Sequence, residues 1–169
     1  MSQKIALGGG CHWCTEAVYQ SLKGVTKVEQ GYVASVNDNN TFSEAVIVHF
    51  NVKEISLKTL IKVHLYTHKS TSSHSMRDKY RSAIYTFSEK QKEDVSIILE
   101  GFQNLFENKL IIKVLLFNTF KASREQIANY YYKNPNKPFC KTFINPKLKL
   151  VLNRFSKHAD KAKLNHLIE

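Results

Sequence analysis

Two cysteines with two residues between them, Cys11 and Cys14, follow Gly8, Gly9 and Gly10 at the point where a short apolar run gives way to a helical pattern. Ile5-Ala6-Leu7 reads as a buried strand, the glycines permit a tight turn, and Thr15 to Leu22 carries an amphipathic helical pattern. Cys11 then sits at or near a helix start, where unpaired backbone N–H groups and the positive end of the helix dipole stabilise an anion. A thiol there loses its proton more readily than an ordinary cysteine, and a second cysteine one turn later adds a further donor. The thiolate is the nucleophilic form, so Cys11 is the candidate catalytic residue. Two cysteines at this spacing can equally hold a metal or sit inert in a core. Trp13 between them is either ordinary core or the apolar wall of a substrate pocket.

The metal reading has a definite form. Cys11 and Cys14 together with His64 and His68, which lie one helical turn apart, supply the ligand types of a closed zinc site. The spacing is not that of a finger, and no glutamate sits between the histidines as a zinc protease requires. A third reading is a noncatalytic redox or binding module that keeps a pocket but does not turn over.

Around these residues the chain must supply a core, and its 169 residues predict one domain, with a lysine-rich helical tail from about residue 146. The apolar start is cut short by glycine before it could form a signal peptide, and no apolar run is long enough to cross a bilayer, so the expected location is the cytoplasm without membrane contact. Three cysteines cannot all pair within one chain and suit a catalytic thiol set in a reducing compartment. The formal charge of +11 is concentrated towards the end, in residues such as Lys133, Lys137, Lys141, Lys147, Lys149, Arg154, Lys157, Lys161 and Lys163. No helix-turn-helix, zinc-finger or RNA-binding signature accompanies them, so nucleic-acid binding is not expected and the lysines read as a solvated helix face. The expected state is a monomer.

Hydrophobic periodicity gives strands at residues 3–7, 25–34 and 42–50 and a helix at 11–22. Ser56 caps a second helix that runs to Thr67, with Leu57, Leu60, Ile61, His64 and Leu65 on one face. Lys69 to Arg77 reads as a loop, Tyr80 to Phe87 as a strand, and Ser88-Glu89-Lys90-Gln91 as the capping box of a third helix. Leu110 to Phe117 is a further strand, Ser123 to Tyr132 a short helix, and Asn153 to Leu167 a helical region. Strand, helix, strand, strand, helix, strand is the order of an α+β, ferredoxin-like two-layer sandwich, a split β-α-β unit, here with additional C-terminal helices.

The run Gly9-Gly10-Cys11-His12-Trp13-Cys14 resembles the Gly-Cys-Phe-Trp motif of the peptide methionine sulfoxide reductase A family. Gly31-Tyr32, Ser43-Glu44-Ala45-Val46 and Lys79-Tyr80-Arg81-Ser82-Ala83-Ile84-Tyr85 are similar to three further family segments, the last to Gln-Tyr-Arg-Ser-Ala-Ile. Lys133-Asn134-Pro135 followed by Phe139-Cys140 looks like the family's late Asn-Pro and resolving-cysteine region. Order and rough spacing hold over residues 3 to 140, and the family's core is also a ferredoxin-like sandwich.

The resemblance implies thiol-dependent reduction of methionine S-sulfoxide, in proteins or free, to methionine. It implies Cys11 as nucleophile and Glu44 as the acid that serves the departing oxygen, a role that needs a carboxyl kept protonated by partial burial. Tyr80 matches a tyrosine whose hydroxyl points at that oxygen, and Trp13, with His12 beside it, matches the wall against which the substrate methyl packs. Either Cys14 or Cys140, or both in sequence, would resolve the sulfenic acid, and thioredoxin or a similar dithiol would reduce the disulfide. No cofactor is implied. The chain departs from the family at His12, which stands in place of phenylalanine; between Tyr32 and Glu44, where a segment carrying a second oxygen-binding tyrosine is lacking; and at Ser75, which replaces an aspartate, a loss for which His74 could substitute.

Overall fold

Side-chain parity along the first strand decides which layer each residue joins. In β1 (Ser2–Gly8), Ile5 and Leu7 enter the larger core and Ala6 the opposite face; in β3 (Ser43–Asn51), Val46, Val48 and Phe50 enter the larger core while Ala45 and Ile47 face away. The computed structural model describes residues 2–71, 79–125 and 127–168. Its first elements run β1, α1 (His12–Gln20), β2 (Val25–Ala34), β3, α2 (Leu57–Thr67) and β4 (Ala83–Thr86). These four strands lie side by side as β4-β1-β3-β2, every neighbouring pair antiparallel, which is the ferredoxin-like split β-α-β arrangement expected from the element order.

Two more strands widen the sheet. After α3 (Glu89–Phe102), β5 (Lys113–Leu116) joins β4 in parallel, and β6 (Thr119–Ala122) closes the other edge antiparallel to β2. Residues from α1, α2 and α3 pack on one face in the larger core. Phe87, Leu115, Phe117 and Phe120 pack against the small residues Ala6, Ala45 and Ala83 on the other. The Ser56 and Ser88 caps form as the sequence predicts: their hydroxyls accept the backbone N–H of Thr59 and Gln91. The reciprocal bond of the second cap is displaced by one residue, since Gln91 Oε1 accepts from Phe87 N.

Three expectations need correction. The strand read at Tyr80–Phe87 begins only at Ala83, because Lys79 and Arg81, on either side of Tyr80, are tied instead to the start of β3. The helix read at 123–132 is a single turn, α4 (Tyr130–Lys133), entered through Asn129 in the left-handed conformation (φ 57°). That turn is fixed by Glu16, whose carboxylate accepts Asn129 N and Tyr130 N at 2.9 and 3.1 Å. The helix read at 153–167 lies earlier, as α5 (Asn145–Arg154), entered from a π-helical turn at Cys140–Ile144 with Pro146 in its first turn. Beyond Arg154 the chain is held against the end of α1 by Lys23 N to His158 O and Asp160 N to Ser21 O, at 2.8 and 2.7 Å, and cannot continue as a helix. Leu148, Val151, Phe155, Ala159 and Leu164 are buried in the larger core, so the tail completes the helical layer.

Gly31 permits the approach of β6 to β2. A Cβ there would lie 2.3 Å from the Lys121 carbonyl oxygen and 2.7 Å from the Phe120 ring. Gly31→Ala is therefore expected to cost about 1–3 kcal/mol, the usual range for overpacking, measured as a lower denaturant midpoint with unchanged slope.

Candidate active site

The turn from β1 into α1 sets the position of Cys11. Gly9 adopts φ 152°, and a Cβ there would lie 2.5 Å from His68 Cδ2, so the chain passes against the His68 ring only because no side chain intervenes. Cys11 is the N-cap residue, and its carbonyl oxygen accepts Cys14 N and Thr15 N at 3.1 and 3.2 Å. The Trp13 and Cys14 amides and the Cys14 thiol all act on the half-buried Cys11 sulfur. The Cys14 thiol has the largest effect and lowers the Cys11 pKa; burial and the nearby Glu44 charge oppose it, and the net effect is a pKa below the ordinary cysteine value. Cys14 shifts the opposite way. As donor to Cys11 and as a buried group, it is pushed far above that value and keeps its proton.

Glu44 reaches the same place from β3. Its side chain is buried, its Oε1 accepts the His12 backbone N–H at 3.1 Å, and its Oε2 lies 3.6 Å from Lys79 Nζ. Glu44 N and Ser43 Oγ both donate to the Lys79 carbonyl, at 3.0 and 2.9 Å, and Arg81 N donates to Ser43 Oγ at 2.8 Å. This stitching brings Tyr80, between Lys79 and Arg81, alongside the Glu44 end of β3. The Lys79 ammonium lies 5.2 Å from the Tyr80 ring, and its pKa is raised by the Tyr80 hydroxyl first and by Glu44 after it.

Cys11, Cys14, His68, Tyr80, Phe139 and Lys147 help to line a cavity of about 340 Å³. A larger groove, of about 590 Å³ along α3, is walled by Glu89, Lys92, Glu93, Ser96 and Ile97 and contains no thiol. Trp13 is stacked on Tyr130 with centroids 4.1 Å apart and meets Phe139 edge-on at 5.2 Å. His12 is buried behind the first turn of α1, edge-on to Tyr32 at 5.2 Å. Cys140 lies in the π-helical turn, fully buried, its thiol 3.5 Å from the Asn134 carbonyl oxygen and its pKa raised by burial. None of the three cysteines is in a disulfide. His74 and Ser75 lie outside the described residues.

Three contributors escaped the sequence reading. Lys147 of α5 donates to the Thr67 carbonyl from a half-buried position; desolvation lowers its pKa while the two thiols pull the other way. Tyr130 and Lys79 were also missed, and a lysine directly before Tyr80 was the one available signal. The zinc reading finds no support, since among the described residues no group of three or more His, Cys, Asp or Glu side chains is arranged to hold a metal. His64 Nε2 is 2.9 Å from the Gly8 carbonyl, while His68 bonds through Nδ1 to the His64 carbonyl and through Nε2 to Ser82 Oγ.

A nucleophilic thiol at a helix start, a protonated partner thiol in contact with it and a carboxyl from the adjoining strand define a thiol oxidoreductase on a ferredoxin-like sandwich. A family model described as peptide methionine sulfoxide reductase matches residues 3–160. The chain is 30% identical to the peptide methionine sulfoxide reductase MsrA of Nitratiruptor sp., over 94% of this chain and 99% of that protein. It is 31% identical to the MsrA of Trichodesmium erythraeum, over 92% and 97% respectively. Among solved structures it is similar to Mxr1 of Saccharomyces cerevisiae in reduced form, with TM-score 0.72 and 25% identity over 84% of this chain and 91% of that one. A structure of Mxr1 in complex with Trx2 matches with TM-score 0.62 and 24% identity, over 74% of this chain and 83% of that one. The chain belongs to the peptide methionine sulfoxide reductase family, and its activity is thiol-dependent reduction of methionine sulfoxide. No helix among the described residues is long and apolar enough to cross a membrane.

The opposite shifts of the two thiols make a chemical prediction. At neutral pH iodoacetamide is expected to label Cys11 ahead of Cys14 and Cys140, as read by peptide mass spectrometry. Because the Cys14 thiol is the largest cause of the lowered value, Cys14→Ala should move the alkylation profile of Cys11 to higher pH and slow its labelling at neutral pH by roughly tenfold.

Proposed function

We propose that Cys11 attacks methionine S-sulfoxide and that Glu44 supplies the proton that leaves with the sulfoxide oxygen. The observation that carries this reading is the meeting of a thiol of lowered pKa, on the wall of a cavity, with a buried carboxyl held on the amide of the next residue. Two electrons pass from the Cys11 sulfur to the sulfoxide sulfur, the oxygen is transferred to Cys11 with the Glu44 proton, and the products are a Cys11 sulfenic acid, methionine and a Glu44 carboxylate. Tyr80 hydrogen-bonds the oxygen as it departs. Phe139 and Phe143 on the cavity wall offer the apolar surface for the substrate methyl, with Trp13 behind, stacked on Tyr130 and meeting Phe139 edge-on; Trp13 and His12 do not themselves line the cavity.

Resolution begins at Cys14. Its protonated thiol already touches Cys11, so attack on the sulfenic sulfur forms the Cys11–Cys14 disulfide and releases the hydroxyl, with the Cys14 proton, as water. Cys140, fully buried in its π-helical turn, takes over the disulfide once that turn shifts. A dithiol of the thioredoxin kind then restores the thiols, a role consistent with the Trx2 complex of Mxr1. A reducing compartment such as the cytoplasm keeps three unpaired thiols available for that cycle, and the chain acts as a monomer.

The test is a stoichiometric assay of the reduced protein with each epimer of methionine sulfoxide, free and in a peptide. Wild type should form methionine from the S-epimer without added reductant and Cys11→Ser should form none. Absence of product from the wild type, or unchanged product from the variant, would contradict the reading.

A further inference from the structure

His12 occupies the first turn of α1 and is 3% exposed. Its Nδ1 lies 2.8 Å from the Gly31 carbonyl oxygen. A carbonyl oxygen can only accept, so Nδ1 carries a hydrogen and the tautomer is fixed from that side. Across the ring, Nε2 lies 3.5 Å from Glu44 Oε1, the same oxygen that accepts the His12 backbone N–H at 3.1 Å. A neutral imidazole with Nδ1–H committed to Gly31 presents the Nε2 lone pair to that oxygen. Two lone pairs facing each other in a buried site repel unless a proton lies between them. A proton shared by the two groups would sit as a carboxylic acid beside neutral imidazole or as a carboxylate beside imidazolium. Burial pushes the His12 pKa below the ordinary histidine value; the Gly31 carbonyl and Glu44 oppose it and Lys79 reinforces it.

We propose that His12 is a positioning residue that holds the transferable proton on Glu44 and recovers it after each turnover. The proposal rests on the assignment of Glu44 as the proton donor and goes beyond it by naming what keeps that donor loaded. When Glu44 has given its proton to the sulfoxide oxygen, a carboxylate faces Nε2, and the pair takes up one proton from water before the next cycle. The other groups facing the pair are Lys79 Nζ at 3.6 Å from Glu44 Oε2, the Tyr32 ring at 5.2 Å and the Trp13 ring at 6.5 Å from the imidazole, and the Cys11 thiol, which responds to the Glu44 charge. Of these groups His12 is the one whose ring nitrogen lies beside Glu44 Oε1, and it is the proton partner assigned here.

The test compares the pH profile of a single turnover of the S-epimer in wild type and His12→Phe, which fills the volume of the ring and cannot hold a proton. The position of the alkaline limb is the readout, not the amplitude. It should fall about one pH unit lower in His12→Phe, which makes the variant about tenfold slower at pH values on that limb. Nitrogen-15 spectra of the histidine rings provide a second readout, independent of turnover. Wild type should show His12 as the Nδ1–H tautomer, with an Nε2 resonance that moves in Glu44→Gln. Superimposable pH profiles, or an Nε2 resonance indifferent to Glu44→Gln, would overturn the proposal. If wild type forms no methionine, the assignment of Glu44 as donor fails, and the nitrogen spectra alone decide whether the pair shares a proton.

Discussion

The site depends on the balance of forces on a single sulfur. Burial and the Glu44 charge both favour the protonated thiol of Cys11, and either could leave it inert in a half-apolar cavity. The donors gathered at the start of α1 outweigh them, the Cys14 thiol first and the Trp13 and Cys14 amides after it. The same geometry gives the two thiols different tasks. Because Cys14 donates, its pKa is pushed up, and in the proposed cycle a protonated neighbour awaits the sulfenic acid without competing as a nucleophile. Much of the surrounding structure maintains the angle at which the first turn of α1 leaves β1: Gly9 against the His68 ring, Glu44 on the His12 amide, and Gly31 under the His12 imidazole.

The C-terminal third is part of this arrangement. Glu16 reaches out from α1 to hold Asn129 and Tyr130, and Tyr130 in turn lies flat on Trp13. Phe139 meets the edge of Trp13 and also lines the Cys11 cavity, while Lys147 brings a half-buried amine beside the thiol pair. The lysines that suggested a solvated tail thus include one whose stem and charge serve the site. Placing Cys140 in a π-helical turn within this segment couples the third thiol to the wall of the cavity, so that any shift of the turn that exposes Cys140 also moves Phe139 and Phe143.

The parts legible in the sequence were those set by neighbours along the chain. Glycines before a Cys-x-x-Cys pair, the Ser56 and Ser88 caps, and the alternation of Ala45 to Phe50 each report their own structure, and together they give the four-strand ferredoxin-like sheet. Features decided by distant partners were not legible. β6 is four residues long with little apolar signal, and it exists because β2 offers an edge and Gly31 leaves room for it. The turn at Asn129 follows from a carboxylate 113 positions away, and the course beyond Arg154 from the pairing of Leu22 with Ala159. At the site, the resemblance to the family located Glu44 and Tyr80. The approach of His12 Nε2 to Glu44 and of Lys147 to the thiol pair depends on side-chain directions that no local pattern encodes.

The central claim, that Cys11 alone among the three cysteines receives the oxygen, is tested most directly by trapping. In the Cys14→Ser, Cys140→Ser double variant, treatment with one equivalent of S-methionine sulfoxide followed by dimedone should yield one adduct on Cys11, located by peptide mass spectrometry, together with a matching amount of methionine. Methionine formed without an adduct on Cys11, or no methionine at all, would contradict the account.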